Sequence, residues 1–410
     1  MKRFIVILLV ALAAVPALVA QTVTPDQIAA LKTTTVLLWT KEGEADQALQ
    51  YVQYLADTFT RTYPRISFEV VNKNVEVLRE DFQTASLAGT PPDLLWTVSD
   101  HAGPFTTAKL IQPVDLLFPL VNYVTSAVNA VKLGGKTWGV PISNGNHLML
   151  MYNKKLVPTP PKTTNELFAM AVNLPAGMYT LVYNQTEPFW LVPWLGGFKG
   201  AVFAPGTVTP TLNTPAMIST LTLLKQMKDK GLVPPESDYN GAEALFKEGK
   251  AAMLINGDWS LVGYRDAMGE DFGVARIPMV SATGVWPAPY TSGAFFMIPS
   301  DTKSNQLTAV RGFVQFATSR PMQVEMVKRL SRLPALKTAL TDEELTSNVL
   351  LKNSADQMVV GTPMPTALEM RAVWDAMKPE MAAVLAGSKT PQAAAAAMQA
   401  AAVAGIKKLQ

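Results

Sequence analysis

The sequence predicts an α/β protein of doubly wound sheets, and three features carry that prediction. Short apolar runs such as Val36–Trp39 and Ala251–Ile255 are too brief for capped helices and suit strands buried on both faces. Segments with apolar residues at helical spacing lie between such runs, so strand–helix–strand units recur and the strands they join pair in parallel. The chain has 410 residues, enough for two domains of ordinary size.

Composition narrows the class further. Hydrophobic residues make up 49% of the chain and charged ones 16%, which excludes disorder and coiled coil. The formal charge is +3 with no Lys/Arg cluster to neutralise a phosphate backbone, so nucleic acid is excluded as a partner. Cysteine is absent, which rules out disulfides, thiolate metal sites, a cysteine nucleophile and an acylated lipoprotein anchor. Met1–Ala20 reads as a secretory signal peptide: Lys2 and Arg3 precede an apolar core from Phe4 to Val15, and a small residue, Ala20, precedes Gln21. The expectation is an exported, periplasmic chain, soluble after cleavage.

In the mature chain the first strand, Val36–Trp39, runs into a polar loop, Thr40-Lys41-Glu42-Gly43-Glu44. A helix with Leu49, Val52, Leu55, Ala56 and Phe59 on one face follows, then a strand over Ile66–Val71. A helix over Leu78–Leu87 leads through Pro91-Pro92-Asp93 to a third buried strand, Leu94–Trp96, and a loop, Thr97–His101. Further strands are expected at Leu148–Asn153, Leu181–Asn184 and Phe272–Ala275, with helices at Leu221–Lys230, Leu307–Ser319, Thr341–Ser354 and Pro391–Leu409.

The stretch Ala242–Ser260 organises the rest. A helix ends near Gly249, Ala251–Ile255 forms a buried strand, and Asn256-Gly257-Asp258 signals a turn. Trp259 then stands just past the strand's carboxyl end, where ligands of open α/β sheets sit.

Several segments resemble a known family. Phe246–Trp259 fits F-x-x-G-x-A-A-M-x-I-N-G-x-W, and Gly135–Pro141 fits G-K-x-x-G-x-P. Tyr152-Asn153-Lys154 continues to Pro160-Pro161-Lys162-Thr163, Asn184–Trp190 reads N-x-x-E-P-aromatic-aromatic, and Pro363-Met364-Pro365 precedes Trp374. In these motifs the chain resembles the extracellular solute-binding proteins of ABC sugar transporters, of the maltose/maltodextrin type. The resemblance implies a two-lobe periplasmic-binding-protein fold, each lobe a doubly wound sheet flanked by helices and joined by hinge segments. It places residues 21–143 and 290–343 in the first lobe and 144–289 and 344–410 in the second. It also implies a monomeric receptor that takes a sugar into its cleft, without a cofactor, and delivers it to the transmembrane permease subunits.

A sugar ring presents apolar C–H faces and a rim of hydroxyls, so its site needs aromatic plates with donors and acceptors around them. Carried over motif by motif, the plates are Trp259, Trp374, Trp190 and Phe189, each of which could instead be a packing residue. Hydroxyl acceptors are Glu187 and Asp100, amide partners Asn144 or Asn146, and cations Lys41 and Lys378. The loop after Pro92-Asp93 lacks the family's aromatic residue, a loss for which Trp96 could compensate. His101 and His147, the only histidines, suit sugar hydrogen bonding or packing better than metal. Two alternatives stay open. One is a receptor of this fold for another sugar, such as trehalose, or for a non-sugar such as a polyamine or an iron chelate. The other is a carbohydrate-active enzyme using Glu187 and Asp100 as its carboxylate pair.

Overall fold

A computed structural model describes residues 22–43, 47–170 and 177–409. The expected signal peptide and Glu44 lie outside the described residues. In chain order the strands are β1 (Thr34–Thr40), β2 (Ile66–Asn72), β3 (Leu94–Val98), β4 (Lys132–Leu133), β5 (Lys136–Thr137), β6 (Val140–Pro141), β7 (Leu148–Asn153), β8 (Tyr179–Tyr183), β9 (Ala251–Gly257), β10 (Phe272–Ala275), β11 (Tyr290–Thr291), β12 (Ala294–Met297) and β13 (Thr362–Pro363).

They form two main sheets. The first has the order β2-β1-β3-β12-β6 and the second β10-β7-β9-β8. In the first, β1 runs parallel to β2 and β3, while β12 is antiparallel to β3 and to β6. Alternate residues of each central strand feed opposite faces: Trp96 and Phe296 enter one core, Leu95 and Phe295 the other. The helices Ala48–Thr62 and Ser304–Ala317 cover the first face, Val75–Leu87 and Ala102–Thr107 the second. The second sheet is wound in the same way. Leu148, Tyr183 and Ile255 point into a core shared with Glu369–Leu385 and Pro391–Leu409, and Met151, Val182 and Leu254 into one shared with Tyr239–Lys247 and Leu261–Met268.

The chain passes between the sheets three times: after β6, before β12, and between the helices Arg320–Leu330 and Val349–Val359. The passing segments lie side by side, bridged at Gly145 to Ser292 and at Ser143 to Pro334. Their approach is close, since a Cβ on Gly293 would stand 2.0 Å from the Ser143 carbonyl oxygen.

Local chemistry places the elements. Asp93, the acid of the Pro-Asp pair, locks the start of β3 to β1 by accepting from the Leu37 amide at 2.9 Å. Thr214 caps the helix Pro215–Asp229 by accepting from Met217 at 3.3 Å, and Pro at N1 starts it earlier than the apolar spacing suggested. Gly249, at φ +69°, follows the helix Tyr239–Lys247 as a left-handed glycine.

Three expectations change. Strand β9 was expected in a parallel sheet, yet it pairs parallel with β8 and antiparallel with β7. A strand delivered by a crossing enters its new sheet reversed, so both sheets are mixed. Asn256-Gly257 does not turn but continues β9 opposite Met149 and Leu148, and the chain turns one step later in a 3-10 helix, Asp258–Ser260. The helix expected over Thr341–Ser354 is two, Glu343–Thr346 and Val349–Val359, capped by Asp342 and Asn348.

Candidate functional site

The carboxyl end of β9 supports a cluster of rings. Gly257 makes room for the Trp259 indole, because a Cβ there would lie 2.1 Å from the ring. The Trp259 Nε1–H donates to the Tyr239 hydroxyl at 3.0 Å. Tyr239 belongs to a polar network behind the ring: Asn256 Nδ2 reaches Tyr264 Oη at 3.1 Å, and Tyr264 donates to Glu243 at 2.7 Å. Such a network fixes an aromatic ring more tightly than packing alone.

Phe189 sits at the centre of the cluster. Its ring centroid is 5.7 Å from Trp190, 6.3 Å from Trp259, 6.4 Å from Tyr290 and 6.4 Å from Trp374. Pro188 holds Glu187 extended, at φ −115° and ψ 127°, and the Glu187 carboxylate accepts from Lys378 Nζ at 2.5 Å. Trp374 and Lys378 lie four residues apart on the helix Glu369–Leu385, so they share a face. Three of the rings, Phe189, Trp259 and Trp374, remain half-buried and can offer a surface to a ligand.

The other residues named from the sequence are placed differently. Trp190 is buried and donates its indole N–H to the Ile255 carbonyl at 2.9 Å, so it backs the cluster and does not face outward. Trp96 offers no plate. It is 0% exposed, edge-on to Tyr51 and Phe296, with its N–H on Glu42 Oε1 at 2.9 Å, because its position along β3 turns it toward the helix Ala48–Thr62. Lys41 pairs with Glu42 at 3.0 Å. His101 is buried, with Nδ1 2.7 Å from the Thr97 hydroxyl; burial, then the nearby cations Arg79, Lys41 and Arg371, push its pKa down to about 3. It is therefore a neutral interior imidazole. Asp100 stays half-buried on the 3-10 turn Ser99–His101 after β3.

Asn146, at φ +52°, lies on the first crossing segment, and its amide donates to Asp258 Oδ2 at 3.0 Å. Asn144, half-buried beside it, donates its backbone amide to the Leu333 carbonyl at 2.9 Å, and its side-chain Oδ1 accepts from the Ser126 hydroxyl at 3.5 Å. His147 is buried against the Ser354 carbonyl at 2.9 Å, and burial lowers its pKa despite the opposing pull of Asp258. Among the described residues no group of three or more His, Cys, Asp or Glu could hold a metal ion, and no helix is long and apolar enough to cross a membrane.

Residues 54–353 match the family described as bacterial extracellular solute-binding protein. The chain belongs to that family. It is 27% identical over 350 residues to the maltotriose-binding protein of Pyrococcus abyssi, an overlap covering 83% of this chain and 75% of that one. It is 22% identical over 345 residues to the galactooligosaccharide-binding protein of Bacillus subtilis, covering 80% of each. Its fold superposes with TM-score 0.85 on the maltose/maltodextrin-binding domain MalE of Bdellovibrio bacteriovorus bound to maltotriose, at 36% identity and over 91% of this chain and 100% of that one. The architecture is thus the two-lobe α/β fold of the solute-binding proteins, with one main sheet in each lobe.

The motifs did not point to Tyr239, Tyr290, Glu42 or Arg332. Tyr239 and Tyr290 carry no motif of their own, although each adjoins a segment that does. Glu42 and Arg332 form a buried ion pair, with the guanidinium's Nη1 and Nη2 at 2.8 and 2.9 Å from the two carboxylate oxygens. Burial alone would raise the Glu42 pKa, and Arg332 and Lys41 outweigh it, holding the carboxyl well below the usual range.

Proposed function

We propose that this solute-binding protein is the receptor of an ABC importer for a maltooligosaccharide. The observation that carries the reading is the ring cluster of Phe189, Trp259 and Trp374 with the Glu187–Lys378 pair at its edge. Half-buried aromatic faces take the apolar side of pyranose rings, and the ion pair offers an acceptor and a donor to hydroxyls beside them. Asp100 and Asn146 supply further polar groups from the first lobe and the crossing segment. Residues 21–143 and 290–343 make the first lobe and 144–289 and 344–410 the second. A sugar touching both lobes stabilises only the closed arrangement, and the closed, exported monomer docks on the permease. The protein binds its ligand and does not transform it. Membership of a family described as solute-binding, and acceptors placed beside rings, support that view.

A thermal-shift screen of the protein cut after Ala20 tests the reading, using glucose, maltose, maltotriose, trehalose, sucrose, a galactooligosaccharide and spermidine. A ligand of the native state raises the melting temperature with ln(1 + [L]/Kd). Maltotriose is expected to give the largest shift. A shift with trehalose or the galactooligosaccharide alone would replace the ligand and keep the site, and no shift with any sugar would overturn the reading.

A further inference from the structure

Glu42 is a buried carboxylate just beyond β1, and its two oxygens already accept four bonds from within the protein. Its Oε1 accepts from Trp96 Nε1 at 2.9 Å, Arg332 Nη1 at 2.8 Å and Lys41 Nζ at 3.0 Å, and its Oε2 accepts from Arg332 Nη2 at 2.9 Å. Its own carbonyl is held by Asn72 Nδ2 at 2.6 Å. A carboxylate fixed this firmly acts by fixing its partner. Arg332, 3% exposed, is turned so that Nη2 also reaches the Trp259 carbonyl oxygen at 3.4 Å. The bidentate pair is internal to the first lobe, whereas the bond to Trp259 crosses to the second.

Other polar contacts cross at the same place. Arg265, on the helix that follows Trp259, donates to Ser331 Oγ at 2.8 Å and to the Lys328 carbonyl at 3.2 Å. Gln47 Nε2 donates to Asp266 Oδ2 at 2.6 Å. Residues 259–266 of the second lobe are therefore tied to residues 47 and 328–332 of the first, and of these ties the Arg332 bond is the one that reaches the backbone of Trp259.

We propose that Arg332, aimed by Glu42, is a positioning residue that couples lobe closure to the seating of Trp259, and that Glu42 serves as its anchor and not as a sugar ligand. The inference rests on the receptor reading above. Because the ion pair stays within one lobe, it survives opening and presents Nη2 ready-made when the lobes meet. The second lobe then gains a charge-assisted bond without reordering the arginine.

The test compares Arg332→Lys with the double variant Glu42→Met/Arg332→Met. Lysine keeps the charge opposite Glu42, but a single ammonium cannot form the two-pronged pair and reach Trp259 as well. The double variant removes both charges of the pair, and because it also takes the acceptor from Lys41 Nζ and Trp96 Nε1, its stability loss is read separately from the melts. Maltotriose titration and stopped-flow dissociation are measured with thermal melts, and small-angle X-ray scattering gives the radius of gyration of the ligand-free proteins. Both variants are expected to bind about tenfold more weakly through faster dissociation, and to be more expanded without ligand than the parent. A purely structural pair would lower the melting temperature and leave dissociation and radius unchanged, and that result overturns the inference. If the parent itself binds no maltooligosaccharide, the receptor reading fails separately, and the scattering comparison alone decides the role of Arg332.

Discussion

Replacing Trp259 by alanine removes the ring on which the carbohydrate reading most depends, and its surroundings size the loss. A fully covered indole buries roughly 150–250 Å². Trp259 is already half-covered by Gly257, Phe189 and Trp190, which leaves on the order of 80 Å² of apolar face for a ligand. At about 25 cal/mol per Å² that face is worth about 2 kcal/mol, or roughly 30-fold in Kd. Trp259→Phe keeps a smaller plate but loses the bond to Tyr239, and is expected to weaken binding by about fivefold. Isothermal titration with maltotriose gives both values, with thermal melts alongside. Because the ring is only half-buried, truncation should cost less stability than the roughly 3–5 kcal/mol typical of a core Trp. A Trp259→Ala variant that folds and binds maltotriose within twofold of the parent would refute the assignment of this ring to the site.

Four other outcomes follow from the same geometry. Tyr239→Phe removes the acceptor for Trp259 Nε1 at 3.0 Å and should cost about 1 kcal/mol of sugar affinity, with a red shift of tryptophan emission as the check. Lys378→Met takes the cation from Glu187 and should weaken maltotriose binding by about 3- to 10-fold without moving the melting temperature by more than a degree or two, read by titration and melting together. Gly145→Ala would put a Cβ 2.0 Å from Asp258 Oδ2, so the melting temperature should fall by several degrees as the crossing segment is pushed from β9. Acid should destabilise the protein through its buried histidines. The folded pKa of His101 is pushed down to about 3 against 6.5 for an ordinary imidazole, so its contribution is complete above pH 6.5 and is lost as pH falls toward 3, up to about 5 kcal/mol. Melts between pH 7 and 5, above the range where Glu42 is protonated on unfolding, should show a slope that His101→Gln reduces and His147, shifted in the same direction, partly retains.

The parts of this molecule that were legible in the sequence are those with a local signal. Uninterrupted apolar runs gave the central strands, because a strand covered on both faces has no polar side to show. The Glu-Pro-aromatic-aromatic run and the Trp after Asn-Gly-Asp lie on segments whose rings meet in one cluster. The same continuity hides which face a residue takes: in β3 nothing local distinguishes Trp96 from a residue aimed outward, and only its place in the register turns it toward Tyr51 and Glu42. Arg332 is 290 residues from Glu42, and no spacing rule reaches across such a distance. Sheet direction was hidden for a related reason, since reversal at a crossing depends on where the chain re-enters and not on the strand's own residues.

The two lobes prepare for a ligand unequally. In the second, Tyr239, Asn256, Tyr264 and Glu243 hold the Trp259 ring from behind, and Trp190 is pinned to the Ile255 carbonyl, so the rings proposed as plates are fixed by the protein's own bonds. In the first, much of the polar chemistry near the edge is spent internally: Glu42 on Arg332, Lys41 and Trp96, and His101 on Thr97. Apolar plates give affinity with little sense of direction, whereas hydrogen bonds to hydroxyls discriminate one sugar from another. In the proposed site that discrimination falls on few groups, the Glu187–Lys378 pair above all, with Asp100 contributed by the first lobe. Loss of a ring should therefore weaken all glucosyl ligands alike, and changes at Glu187 or Lys378 should alter the order in which maltose, trehalose and galactooligosaccharides bind.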